Sequence, residues 1–133
     1  ELDAKLNILI FFSLSDCSIC LFEAEYWGVV DKSFNKLDVK VWGISQTGNN
    51  EKIEKFRKEY NISFPILYDG KANLKKKFLS IKAISKMNIY TPFKIFLTSQ
   101  KKIVKIEGAT KNIEDQSKFP ERVLLLLKNL DNT

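Results

Sequence analysis

The stretch Leu6-Asn7-Ile8-Leu9-Ile10-Phe11-Phe12 is apolar at every position but Asn7 and does not alternate. A strand over Leu6 to Ser13 is therefore predicted to be buried on both faces, as in a parallel sheet with helices on each side. From Ser18 to about Phe34 the period changes: Cys20, Ala24, Trp27, Val30 and Phe34 recur at three- and four-residue spacings, the signature of an amphipathic helix. Ser15 and Asp16 are its N-cap candidates. Val39 to Ser45 predicts a second strand, and Gln46 to Asn50 a polar loop. Glu51 to Tyr60 predicts a charged helix with Ile53, Phe56 and Tyr60 on one side. Phe64 to Tyr68 predicts a short strand closed by the turn signal Asp69-Gly70. Asn73 to about Leu79 predicts a further short helix, while Ser80 to Tyr90 fits no single type.

Phe93 to Thr98 and Ile103 to Glu107 alternate around Ser99-Gln100-Lys101-Lys102 and predict a β-hairpin. A terminal helix follows, with Pro120 at an early position and Val123, Leu124 and Leu127 among its buried residues. The order βαβ, αβα, ββα contains no internal repeat. It describes an α/β protein with a central mixed sheet flanked by helices. A chain of 133 residues suits one domain over 1–133, large enough to bury a core without a covalent staple.

Lys and Arg number 22 against 16 Asp and Glu, a net charge of +6. Arg57 and Arg122 are the only arginines, and the lysines are scattered, with Lys75-Lys76-Lys77 the densest patch. Recognition of phosphate leans on Arg forks. The excess charge thus reads as a solvated lysine surface, with no nucleic-acid partner expected. The absence of histidine removes hydrolases that need a His base and metal sites that need a His ligand. No metal or cofactor is expected. No apolar run approaches the roughly 18 residues of a membrane span. The sequence opens at Glu1, so a signal peptide, lipid anchor or membrane helix upstream stays open as an expectation.

Chemistry concentrates at Cys17-Ser18-Ile19-Cys20, which holds both cysteines of the chain. A disulfide across so small a loop adds little by restricting the unfolded chain, so reactivity explains the pair better than scaffolding. The nucleophile in sulfur exchange is the thiolate, and unpaired N–H groups at a helix N-terminus favour that anion. Cys17, at the helix start, is the expected attacking sulfur. Cys20, a turn deeper, is the expected resolver through a mixed disulfide. The competing readings are two unremarkable cysteines or half of a zinc site, which lacks a second such pair and any His.

The segment Phe12-Ser13-Leu14-Ser15-Asp16-Cys17-Ser18-Ile19-Cys20 after the first core strand resembles the F-x-x-x-x-C-x-x-C of the thioredoxin superfamily. Tyr60 to Asp69 is similar to the βα insertion of its TlpA/ResA-type thiol-disulfide oxidoreductases, neighbours of the AhpC/TSA peroxiredoxins. The resemblance covers nearly the whole chain and implies a thioredoxin-like fold. Thr91-Pro92 resembles the family's cis-proline site, which implies that the Thr91 backbone pairs with an incoming peptide; an ordinary trans proline at a strand start is the alternative.

Glu23 matches a glutamate of ResA-like proteins and lies three residues beyond Cys20 on the same helical face. It reads either as a proton acceptor or relay for Cys20 or as a solvated helix carboxylate. Asp16 replaces a common tryptophan and places a negative charge beside Cys17 that opposes thiolate formation. Phe11 stands where thioredoxin has a buried acid, and the Ser18-Ile19 dipeptide lacks the usual proline. Phe93 follows Pro92 where a small polar residue is common. Phe22 and Phe93 are candidates to line a substrate groove, and Tyr26, Trp27 and Trp42 are expected in the core.

The resemblance implies an enzyme of disulfide exchange, with a reductase as the preferred reading. Its partners would be protein thiols or disulfides and an upstream redox protein, its address extracytoplasmic and its state monomeric. A thiol peroxidase is the first alternative, although the P-x-x-x-[TS]-x-x-C setting of peroxiredoxins lacks its proline here. A non-catalytic binding or metal-delivery module is the second, although copper chaperones of the superfamily use C-x-x-x-C and a distal His. The direction of electron flow is open between potentials of about −270 and −120 mV.

Overall fold

The computed structural model describes residues 2–14, 18–45, 47–70, 92–108 and 112–131. Strand β1 (Leu6–Phe12) leads to helix α1 (Ser18–Ser33), a short 3-10 turn (Asn35–Leu37) and strand β2 (Val39–Ser45). Helix α2 (Asn50–Glu59), strand β3 (Ile66–Tyr68), strands β4 (Phe93–Leu97) and β5 (Ile103–Glu107), and helices α3 (Ile113–Ser117) and α4 (Phe119–Asp131) complete the described elements. The predicted helix over Asn73 to Leu79 and the segment Ser80 to Tyr90 lie outside the described residues.

The five strands form one mixed sheet in the order β3-β2-β1-β4-β5. β1 is parallel to β2 and antiparallel to β4; β3 is parallel to β2 and β5 antiparallel to β4. All seven residues of β1 are buried, as its nearly continuous apolar run demands for the middle strand of a two-sided sheet. Asn7 is accommodated because its amide nitrogen donates to the carbonyls of Ala4, at 2.9 Å, and Leu97, at 3.4 Å.

The pleat divides the core into two layers. Leu6, Ile8, Ile10 and Phe12 face one way and meet Cys20, Ala24, Trp27 and Val30 of α1, Phe56 of α2, and Phe119, Val123 and Leu127 of α4. Leu9 and Phe11 face the other way and join Ile44, Phe93, Ile95 and Leu97. Gly43 on β2 lies where a Cβ would come within 3.1 Å of Ile66 and of Phe12 and 3.2 Å of Phe64, so a side chain there would have to displace these neighbours by a few tenths of an ångström.

Four expectations need correction. β4 does not alternate between core and solvent: all five residues are buried, including Lys94. The scattered lysines are therefore not uniformly solvated. Leu124 is exposed at 37% because the 3.6-residue period puts Phe119, Val123 and Leu127 on the inner stripe. The strand predicted from Phe64 begins at Ile66; Pro65 instead contributes its carbonyl, which accepts from Gly43 N at 2.9 Å. Helix α3, capped by Asn112 whose side chain accepts from Asp115 N, was not predicted.

Candidate active site

Strands β1 and β2 run parallel and end side by side, with Phe12 opposite Ser45. In open α/β sheets such carboxyl ends are where ligands meet the protein. The two chain exits are tied together through Thr47, whose hydroxyl lies 3.0 Å from Ser13 Oγ and accepts from Leu14 N at 2.7 Å. Because β4 is antiparallel to β1, its first residue, Phe93, pairs with Phe11 near that same end. Their rings stack with centroids 4.6 Å apart. Pro92, which is buried, thus sits at the edge of the sheet from which β1 leads into the dithiol segment.

Cys20 occupies the first turn of α1 and is fully buried against the β1 face of the core. Glu23, one turn on, is 2% exposed, so the solvated reading of this carboxylate is set aside. Phe22, between them in sequence, points outward at 65% exposure beside Leu21 at 41%. Phe93 is fully buried in its stack on Phe11 and lines no open groove. Trp27 is buried as expected and Trp42 partly so. Cys17 and Thr91 lie outside the described residues, as do Ser15 and Asp16.

The carboxylate of Glu23 meets a cation that the sequence reading did not single out. Lys94 Nζ, with no exposure, lies 2.6 Å from Glu23 Oε1, 3.7 Å from Glu107 Oε1 and 3.5 Å from the Gly108 carbonyl. It also sits 5.2 Å from the centre of the Phe119 ring. Glu107 continues the chain of charges. Arg122 donates to both of its oxygens at 3.0 Å, Nε to Oε2 and Nη2 to Oε1, in a planar fork. Lys105 Nζ lies 3.0 Å from Glu107 Oε2, and Arg122 Nη1 donates to the Asp115 carbonyl at 2.6 Å and to its Oδ1 at 3.3 Å.

Burial alone would push the Glu107 carboxyl up. The hydrogen bonds from Arg122 and Lys105 and the charge of Lys94 outweigh it and hold the group below the ordinary glutamate value. Burial likewise works against the Arg122 charge, and the contact with Glu107 more than compensates, so its value is raised. The ion chain joins α1, β4, β5, α3 and α4 and reaches α1 one turn on from Cys20. One signal in the sequence pointed to it: a lysine inside the otherwise apolar run Phe93–Leu97 needs a buried carboxylate partner wherever both strand faces are covered.

A sequence model of the AhpC/TSA family matches residues 1–106. No curated protein matches the sequence. Among solved structures, a secreted Mycobacterium tuberculosis disulfide oxidoreductase homologous to E. coli DsbE superimposes with a TM-score of 0.73 at 18% identity, covering 93% of this chain and 84% of that one. StoA from Bacillus subtilis gives a TM-score of 0.65 at 22% identity, over 87% and 82%. Xanthomonas campestris peroxiredoxin Q gives 0.71 at 20%, over 95% and 79%. At these identities the likeness is one of fold, and the fold is thioredoxin-like.

Proposed function

This chain belongs to the AhpC/TSA family of thioredoxin-like thiol oxidoreductases, and on that premise we propose that it exchanges disulfides with protein substrates, acting as a reductase. Cys17 as thiolate attacks a substrate disulfide and forms a mixed disulfide. Cys20 then attacks Cys17, releasing the reduced substrate and closing the Cys17–Cys20 bond. Glu23 accepts the proton that Cys20 must lose. The backbone of Thr91, ahead of Pro92, pairs with the substrate peptide.

The observation that carries this reading is the burial of Cys20 on the first turn of α1 with a buried carboxylate one turn away on the same face. A sulfur so placed is poorly accessible to a bulky partner and suited to attack its neighbour along the chain. An extracytoplasmic address is part of the proposal, supported by the secreted M. tuberculosis oxidoreductase.

The test uses Cys20→Ser. Mixed with a disulfide-bearing protein, the variant is expected to trap an adduct through Cys17 visible by mass spectrometry, and the unaltered protein is expected to reduce insulin. Absence of both overturns the proposal. Rapid consumption of peroxide by the reduced protein, without insulin reduction, replaces it with a thiol peroxidase in which Cys20 resolves a sulfenic acid at Cys17.

A further inference from the structure

We propose that Lys94 is a positioning residue for the resolving step, acting through Glu23, an inference that rests on Glu23 as the acceptor of the Cys20 proton. A carboxylate with 2% exposure cannot rely on water to stabilise its charge, and neither can an ammonium with none. Each is provided for by the other at 2.6 Å. Lys94 therefore holds the Glu23 side chain in an ion pair on α1, one turn on from Cys20.

The second contact of the ammonium explains how that anion can be discharged. Glu107 Oε1, from β5, lies 3.7 Å from the same Nζ. When Glu23 takes up the Cys20 proton, Lys94 retains a carboxylate neighbour. Glu107 is itself fixed by Arg122 and Lys105, and Arg122 by Asp115, so it does not swing away. Counting all six side chains, three are acids and three are bases. The cluster is neutral while Glu23 is a carboxylate and carries one positive charge while Cys20 attacks.

The step balances as follows with an aromatic disulfide such as 5,5′-dithiobis(2-nitrobenzoate) as oxidant. Cys17 attacks and releases one coloured thiolate, leaving the other half bound to Cys17. Cys20 gives its proton to Glu23, the Cys17–Cys20 bond forms, the mixed disulfide breaks, and a second thiolate is released. The dithiol is oxidised by two electrons and the aromatic disulfide is reduced.

Stopped-flow absorbance on the whole reduced protein separates the two releases. In Lys94→Met the second release is expected to slow by at least about tenfold at pH 7, less than the roughly hundredfold low end for outright loss of a general base, and to recover at higher pH, while the first stays within about twofold. Glu23→Gln should also slow the second release, recovering only as the Cys20 thiol itself ionises in more alkaline solution, and adding Lys94→Met to it should change nothing further. Because that double variant removes both buried charges, it tests the idea even if Lys94→Met alone fails to fold. A second release in Lys94→Met equal to the unaltered protein's, or a double variant slower than Glu23→Gln, overturns the role of Lys94. A Glu23→Gln variant that resolves normally overturns the proton-acceptor reading beneath it, and the Lys94 role falls with it.

Discussion

Replacing Lys94 by Met removes a methylene-lined ammonium and keeps most of its volume, so the change isolates charge from packing. In the folded state Glu23 then loses the cation at 2.6 Å while remaining 2% exposed. Removing one partner of a buried ion pair typically costs about 3–5 kcal/mol, and at this depth no discount for solvent screening applies. Glu23→Gln is the milder half, because Lys94 keeps Glu107 at 3.7 Å and the Gly108 carbonyl at 3.5 Å. The double variant Glu23→Gln/Lys94→Met carries neither charge and should recover most of the loss, since neutral replacement of both partners is often close to harmless. Urea unfolding followed by circular dichroism reads the outcome. At an m-value of about 2 kcal/mol/M, Lys94→Met should lower the midpoint by about 1.5–2.5 M. A shift below about 0.5 M for Lys94→Met, or a double variant whose loss equals the sum of the singles, would refute the reasoning, because independent sites add and a coupled pair does not.

Three further outcomes follow from the geometry. Glu107 is held below its ordinary value of 4.5, so the unfolded chain takes up the proton first as acid is added. Its contribution to stability is complete above that value and is lost as pH falls through the folded one. Glu107→Gln should accordingly narrow its stability deficit between pH 7 and pH 3 in urea titrations, and a constant deficit would count against the ion chain. Gly43→Ala must push aside Ile66, Phe12 and Phe64, and is expected to lose about 1–2 kcal/mol in urea unfolding despite the stiffer unfolded chain. Asn49→Ala removes the side chain that accepts from Lys52 N at 2.9 Å at the start of α2 and should cost about 1 kcal/mol, with Asn49→Ser restoring most of it.

The parts of the molecule legible in the sequence are those set by local pattern. β1 announced its two-sided burial through a nearly continuous apolar run, and α1 its inner stripe through the spacing of Cys20, Ala24, Trp27 and Val30. The pairing of the start of β4 with the end of β1 came from tertiary topology. The ion chain was not legible in the same way, because its members come from five elements, with Glu23 about 70 residues before Lys94, and meet only through tertiary packing. β4 shows why. A lysine between two apolar residues reads as the solvent side of an alternating strand, and nothing local reveals that Phe119 and Arg122 of α4 cover that side. Glu23 alone could be read both ways until Lys94 stood beside it.

The antiparallel pairing of β1 with β4 also joins two parts of the chain that are far apart in sequence. β1, α1 and β2 are consecutive, and β4 and β5 form a hairpin, so each half can gather through short loops. Joining them means closing most of the chain at once, a long-range contact whose entropic cost slows folding. Lys94 lies on one half and Glu23 on the other, which places their contact after this docking. Loss of the pair is thus expected to hasten unfolding and leave the refolding rate nearly unchanged, the signature of an interaction absent from the transition state. The Glu23–Lys94 salt bridge would then serve as the latch that keeps a finished sheet from coming apart.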